Sequence, residues 1–175
     1  MSKKKHLVRG VLAGLAGGLV ASWVMNEFMA GPGQKLQQAV QSDEQNERDA
    51  TQSDEPKEDA TMKTVDAIVN VATGGEHLSW EEKQKGGPVV HYAFGTLMGG
   101  IYGGLAEYCH PVRAAFGTTF GSALFTGADL IAVPVLNLGP APTDQPKSAL
   151  ASPFAAHIVY GVTTELVRRI VRAIL

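Results

Sequence analysis

The sequence predicts an all-α protein: a four-helix transmembrane bundle built from two related helical hairpins, with an acidic, partly helical insert outside the membrane. Three observations indicate this fold: an internal repeat, a strong segregation of charge and four apolar tracts. The tracts are residues 7–30, 88–109, 112–138 and 153–175. Each has about the 20 residues that a helix needs to cross a hydrocarbon core about 30 Å thick.

The internal repeat links the first tract to the third and the second to the fourth. His91-Tyr92-Ala93-Phe94-Gly95 in the second tract parallels His157-Ile158-Val159-Tyr160-Gly161 in the fourth, and a proline precedes each motif. Arg9, Gly14-x-x-x-Gly18 and Glu27 in the first tract parallel Arg113, Gly117-x-x-x-Gly121 and Asp129 in the third. We therefore expect two hairpins related as a parallel repeat about an axis along the membrane normal.

The average composition conceals the segregation of charge. The 175 residues are 45% hydrophobic and 18% charged, with a net charge of −2 and a mean hydropathy of zero. However, residues 34–87 hold 12 of the 17 acidic residues. A soluble helical bundle is the alternative, but each exposed helical glycine would cost roughly 1 kcal/mol in water. In a bilayer, small residues let helices approach closely.

The chain divides into five parts along this pattern. Residues 1–30 form a tail and the first transmembrane helix, 31–87 the acidic insert, 88–138 a hairpin of the second and third helices, 139–152 a proline-rich outer loop, and 153–175 the fourth helix with a basic end. With four crossings, the short basic clusters all fall on one side of the membrane. The positive-inside rule then places both termini in the cytoplasm.

The insert contains two stretches with helical character, residues 34–46 and 61–73. The second has Thr61 as a candidate N-cap and Gly74 as a stop signal, and we expect it to cap the bundle. Ser79 and Glu82 have the spacing of a capping box and predict a short helical turn that ends before Gly86-Gly87-Pro88. Residues 42–60 are predicted to be a solvated linker.

The second and fourth tracts resemble a known family. The matching residues are His91-x-x-Phe94, Tyr102, Ala106-Glu107, His157 and Glu165-x-x-Arg168-Arg169. Together they resemble the YagU-like family of bacterial inner-membrane proteins of unknown activity. The insert differs from that family, and a histidine stands there where this chain has Asp129. The resemblance implies a multi-spanning protein of the bacterial inner membrane and implies no reaction.

Four ionisable residues lie toward the outer ends of the tracts: Glu27, His91, Asp129 and His157. Imidazoles and carboxylates that lose water beside each other can handle protons or ions, and the same set could bind a transition metal. A purely structural reading pairs each histidine with a carboxylate. The four residues match no recognised metal signature, and no other cofactor is expected.

A second group of charges lies toward the cytoplasmic ends: Arg9, Glu107, Arg113, Glu165, Arg168 and Arg169. Glu165 has arginines at i+3 and i+4 on its own helix, so we expect an ion-pair layer. The leading functional hypothesis is a small proton or ion transporter or channel. The alternatives are an accessory subunit of a membrane complex and a membrane metal-binding protein. The expected partners are the lipid bilayer and a second copy or a larger complex, without nucleic acid; enzymatic activity is not expected.

Overall fold

The computed structural model describes residues 6–42 and 57–175, which contain helices and no strand. The lysines at positions 3–5 and most of the predicted linker 42–60 lie outside this range. The helices are α1 (Leu7–Ala30), α2 (Pro32–Val40), α3 (Ala60–Thr73), α4 (Trp80–Tyr108), α5 (Thr118–Leu124) and α6 (Ala151–Ile174). The predicted all-α class is confirmed for the described residues.

The third apolar tract is less regular than the sequence predicts. A 3₁₀ segment, His110–Gly117, precedes α5, and a π-helical segment, Phe125–Ala132, continues α5 into the short turn Val133–Val135. We call residues 118–135 the third segment. The prediction that this helix begins at position 112 is wrong, because Ala115 and Phe116 adopt left-handed conformations with φ of 47° and 54°.

Glycine brings α1 into backbone contact with two neighbours. A Cβ atom added at Gly18 would lie 2.9 Å from the Cα of Gly99 in α4. On another side of α1, a Cβ atom at Gly17 would lie 2.7 Å from the carbonyl oxygen of Thr164 in α6. Both distances are shorter than real Cβ contacts, so any larger residue would push the helices apart. Helix α1 is therefore held between α4 and α6.

The third segment packs on α6 in a related way. A Cβ atom at Gly161 would lie 2.8 Å from the backbone nitrogen of Gly121. The Phe120 ring also stacks on Tyr102 of α4, with ring centroids 4.4 Å apart. The third segment thus contacts both α6 and α4, and it completes a bundle with α1.

The bundle has small and aromatic side chains inside and large aliphatic side chains outside. The buried apolar residues of its helices are Ala13, Ala21, Tyr102, Ala106, Phe125, Ala156 and Tyr160. By contrast, Leu12, Leu19, Leu97, Ile101, Leu105, Ile131, Leu166 and Ile170 are each about half exposed. This distribution is the reverse of the usual soluble pattern, in which large aliphatic residues are mostly buried.

Two helical stretches are long and apolar enough to cross a membrane: Leu7–Ala30 and His110–Val135. Core helices of soluble proteins and signal sequences can have the same length and composition, so this finding alone is weak evidence of membrane association. In the described residues α4 and α6 do not qualify, although four such helices were expected. Their glycines, histidines and charged residues lower the mean hydropathy below that of a typical span.

Helix α4 begins well before the predicted second tract. The expected capping box is present at Ser79 and Glu82, but the helix continues through Gly86, Gly87 and Pro88 instead of ending there. The reason is packing: a Cβ atom at Gly86 would lie 2.9 Å from Val65 of α3. These glycines provide the surface on which α3 lies alongside the start of α4.

The ends of α3 only partly follow the prediction. Asp59, rather than Thr61, is the N-cap, and its carboxylate accepts hydrogen bonds from the backbone N–H groups of Thr61 and Met62. Gly74 ends the helix in a left-handed conformation with φ of 77°, as predicted. Helix α3 packs along α4 and forms a helical hairpin with it, instead of capping the bundle as expected.

Candidate functional site

One side of α6 carries a stripe of buried polar residues. Its members are His157, Thr164, Glu165 and Arg168, none of which is more than 7% exposed. Successive members are seven, one and three residues apart, so they lie on one face of the helix. Buried polar and charged groups require partners, because an unpaired one costs several kcal/mol. The partners define the chemistry of the site.

His157 lies nearest the N-terminal end of this stripe, beside Asp129 of the third segment. The Asp129 Oδ2 atom lies 3.7 Å from His157 Nδ1, within ion-pair distance. His157 Nδ1 lies 2.9 Å from the carbonyl oxygen of Pro153, to which it can donate a hydrogen bond, and the Phe125 ring packs against the imidazole. Asp129 belongs to the π-helical segment, a local geometry that is frequent at functional sites.

His91 lies near this pair, whereas Glu27 does not join it. Both His91 and His157 act electrostatically on the Asp129 carboxylate. His91 Nε2 also lies 3.4 Å from the backbone oxygen of Ser22. Glu27 is exposed and makes no hydrogen bond or ion pair within the described part of the chain. The structure therefore brings His91, Asp129 and His157 into one region and leaves Glu27 outside it.

Helical register explains the position of Glu27. The buried face of α1 repeats at positions 10, 13, 14, 17, 18, 21 and 22, and position 27 lies off the continuation of that stripe. His91, Asp129 and His157 all lie four residues from a buried residue on their own segments. Over residues 6–42 and 57–175, no three histidine, cysteine, aspartate or glutamate side chains form a group suited to a metal ion.

Glu165 is the centre of the C-terminal part of the stripe. Its side chain is fully buried, and the Tyr102 hydroxyl donates to it at 2.8 Å. Arg168 donates two hydrogen bonds at 2.7 and 2.9 Å, and Arg169 donates a third from the same helix at 2.6 Å. Both carboxylate oxygens are therefore satisfied by charged donors. Such an arrangement offsets the cost of burying the charge.

Glu107 forms a separate ion pair. Arg172 Nε donates to its carboxylate at 2.8 Å, and the backbone N–H of His6 donates at 3.2 Å. Arg172 was not among the predicted members of the ion-pair layer. Arg9 is exposed and Arg113 is half-buried, and neither forms an ion pair in the described residues. The layer thus consists of two local clusters. One surrounds Glu165 on α6, and the other pairs Glu107 near the end of α4 with Arg172 near the end of α6.

Sequence reasoning missed the two buried tyrosines. Tyr102 and Tyr160 are not among the predicted site residues, yet they are 0% and 1% exposed. Tyr102 donates to Glu165, and the Tyr160 hydroxyl donates to the backbone oxygen of Gly95. Their positions in the sequence could have indicated this burial. Each lies within three residues of a glycine that packs against a neighbouring helix, Gly99 for Tyr102 and Gly161 for Tyr160.

One protein family matches this chain over most of the described helices. Residues 59–166 match the model of a family described as a protein of unknown function, DUF1440. The chain belongs to this family. The matched range covers more than half of the sequence and includes α3, α4, the third segment and α6 as far as Leu166. It does not confirm the narrower YagU-like resemblance. No curated protein and no solved structure matches the chain.

Proposed function

We propose that the protein is a multi-spanning bacterial inner-membrane protein in which α1, α4, the third segment and α6 cross the bilayer. The observation that carries this proposal is the exposure of the apolar stretch His110–Val135. Only 11% of its most apolar 18 residues are buried. In water, such a surface would be a large exposed apolar patch. Fully buried Glu165 and half-exposed leucines fit a lipid environment better than an aqueous one.

The contacts between helices also support the prediction that the chain is built from two related hairpins. Gly18 of α1 contacts Gly95 of α4, and the corresponding Gly121 contacts Gly161. Equivalent positions of the repeat therefore make equivalent close contacts. In this arrangement Cys109 lies at a cytoplasmic turn, and α3 with the start of α4 lies outside.

Cysteine labelling tests this topology, because Cys109 is the only cysteine in the sequence and is exposed. We predict that a membrane-impermeant maleimide labels Cys109 in inside-out vesicles but not in intact spheroplasts. The double variant Cys109→Ser, Gln84→Cys should show the opposite result. Labelling of both positions from the same side would contradict the four-span arrangement.

Within this membrane protein, we propose that the buried face of α6 handles protons or ions. Asp129 is about one-third exposed and is the proposed entry point for protons from the outer solution, whereas its partner His157 is buried. His157 and Glu165 are eight residues apart, or about 12 Å along the helix. Tyr160 and Thr164 supply hydroxyl groups between them, and water would have to complete the path. Glu165 and its arginines form the inner end.

A flux assay tests this function directly. Purified protein in liposomes should carry a proton current that Asp129→Asn lowers at least tenfold, because the amide cannot accept and release a proton at neutral pH. Asp144→Asn is the matched control, since Asp144 is exposed in the outer loop. Both variants should retain the wild-type melting temperature within a few degrees. Equal flux in the wild type and Asp129→Asn would contradict the proposal.

An accessory subunit is the second candidate, and two specific observations favour it. The helix contacts are closely packed by glycine, and the Glu165 carboxylate is fully paired. If wild-type liposomes conduct no more than empty ones, while the protein migrates with other membrane proteins in a native gel, this role is supported. Metal analysis of the same purified sample tests the metal-binding alternative, for which the ligand set gathered by the structure is incomplete.

A further inference from the structure

Helix α2 presents an unusual face to the rest of the protein. Gln34, Gln37, Gln38 and Gln41 occupy positions i, i+3, i+4 and i+7, so they lie on one side of the helix. In most helices that pack on a protein, the inward stripe at this spacing is apolar. Here Gln37 and Gln41 are half-buried beside the start of α6, Gln34 and Gln38 are exposed, and Val40 is 42% exposed.

These four glutamines line a cavity between α2 and the start of α6 that is open to the surface. The cavity has a volume of about 480 Å³, and Ser152, Pro153 and Met29 also line it. Small-molecule sites typically have volumes of roughly 300–1,000 Å³. We call this space the glutamine cavity. It lies one turn before His157, but it belongs to none of the groups described above.

Two polar groups in the glutamine cavity are poorly satisfied. The Gln37 Oε1 atom is buried and accepts no hydrogen bond within the described residues. Ser152 is 3% exposed, and among the described residues its hydroxyl donates only to the Met29 thioether at 3.5 Å, which is a weak acceptor. Leaving a buried polar group without a good partner costs free energy. A ligand that supplies both a donor and an acceptor would recover it.

The charge of the lining restricts the class of ligand. Amides, a hydroxyl and a thioether carry no formal charge, and among residues 6–42 and 57–175 no charged side chain lines the cavity. An ionic ligand would lose its hydration without gaining a counter-charge. Hydroxyl groups, by contrast, donate to amide oxygens and accept from amide N–H groups at the same time.

We propose that the glutamine cavity binds an uncharged, hydroxyl-rich molecule of the sugar class. The same chemistry could come from a free sugar or from the headgroup of a glycolipid. This site does not depend on proton or ion handling by α6, and either proposal can fail without the other.

The test uses full-length protein in lauryldimethylamine oxide, a detergent without a sugar headgroup. Maltose is titrated in a calorimeter, and the melting temperature is measured in liposomes with and without monoglucosyl diacylglycerol. Saturable maltose binding identifies a free sugar as the source. Stabilisation by the glycolipid alone identifies a headgroup. The absence of both responses overturns the proposal.

Two substitutions assign the response to the cavity. Gln37→Leu should weaken it at least tenfold without lowering the melting temperature of the unliganded protein, because the change removes an unpaired buried oxygen. Ser152→Ala serves as a second variant if Gln37→Leu fails to fold. Gln84→Leu is the control, since Gln84 is exposed on α4 and should leave the response unchanged. A response that survives both Gln37→Leu and Ser152→Ala, or that Gln84→Leu reduces equally, overturns the assignment.

Discussion

The contact between α1 and α4 and the contact between the third segment and α6 start from the same Gly-x-x-x-Gly motif, but they differ in the residues that face it. Glycines of α1 at positions 10, 14 and 18 meet glycines of α4 at 103, 99 and 95. On α6, Gly161 alone meets Gly117 and Gly121, and the neighbouring positions are His157 and Glu165.

In the first interface, three successive glycine pairs let the backbones of α1 and α4 touch over about two helical turns. Its ionisable residues, His91 and Glu107, lie beyond the ends of this contact and are half-buried. The second interface has glycine on one side only, and His157 and Glu165 beside Gly161 are buried. A repeat can therefore keep one geometry in both halves and bury its ionisable groups to different depths.

The most damaging change should be a large residue in the glycine interface. Gly99→Leu would place its Cβ atom 2.5 Å from the Cα of Gly18, and neither backbone can move without separating the helices. We expect a loss of unfolding free energy of about 3 kcal/mol or more. Gly127→Leu is the control, because no described residue lies within 4 Å of its Cβ position. Denaturant unfolding in detergent should separate the two variants; equal stability would show that the close contact is unimportant.

The next largest effect is expected on the α6 side. Glu165→Gln leaves buried Arg168 without its counter-charge, and breaking a buried pair in this way costs roughly 3–5 kcal/mol. Glu81→Gln removes an ion pair with Lys85 in which both side chains are about three-quarters exposed, and it should cost less than about 0.5 kcal/mol. The thermal unfolding of both variants measures the difference. A loss no larger than that of Glu81→Gln would place Glu165 in contact with water.

The smallest effect concerns the hairpin of α3 and α4, outside both interfaces. Asp66 accepts hydrogen bonds from His77 and the Leu78 backbone, and it pairs with Lys83. These contacts, the His77 hydrogen bond foremost, lower the pKa of Asp66 from 3.8 to about 2. Because the folded pKa is lowered, the stabilisation is present above pH 3.8 and is lost as the pH falls toward 2.

Hydrogen exchange of the α3 amides across this pH range measures that contribution. Protection in the wild type should fall as the pH drops from 3.8 to about 2, after correction for intrinsic exchange. Asp66→Asn should already show the lower protection at neutral pH and little further change. Exchange that is identical in the two proteins at every pH would show that Asp66 does not hold the hairpin.

The sequence predicts regular helices well where apolar length and end signals agree. The bounds of α1 and the Gly74 stop of α3 follow from these signals. The start of α4 does not, because Gly86-Gly87-Pro88 resembles a break until α3 packs on its glycines. The turn at Ala115 and Phe116 is also unpredictable, since non-glycine residues rarely adopt positive φ.

The site was predicted by residue type but only partly by position. Position along a tract suggests a common depth for Glu27, His91, Asp129 and His157, yet it says nothing about the direction of each side chain. Glycine register supplies that direction and excludes Glu27. The pairing of Glu107 with Arg172 joins residues 65 positions apart, so local spacing could not reveal it.

The π-helical segment at Phe125–Ala132 has a consequence for how Asp129 could be lost without being mutated. A π turn holds one more residue than an α turn in the same length of helix. Deleting one residue of the segment after Asp129, such as Ile131, would return this stretch to ordinary α winding and change the angle between Phe125 and Asp129 along the helix. The carboxylate would then turn away from its position beside His157 although every ionisable residue is still present, so the length of the segment matters as much as its composition.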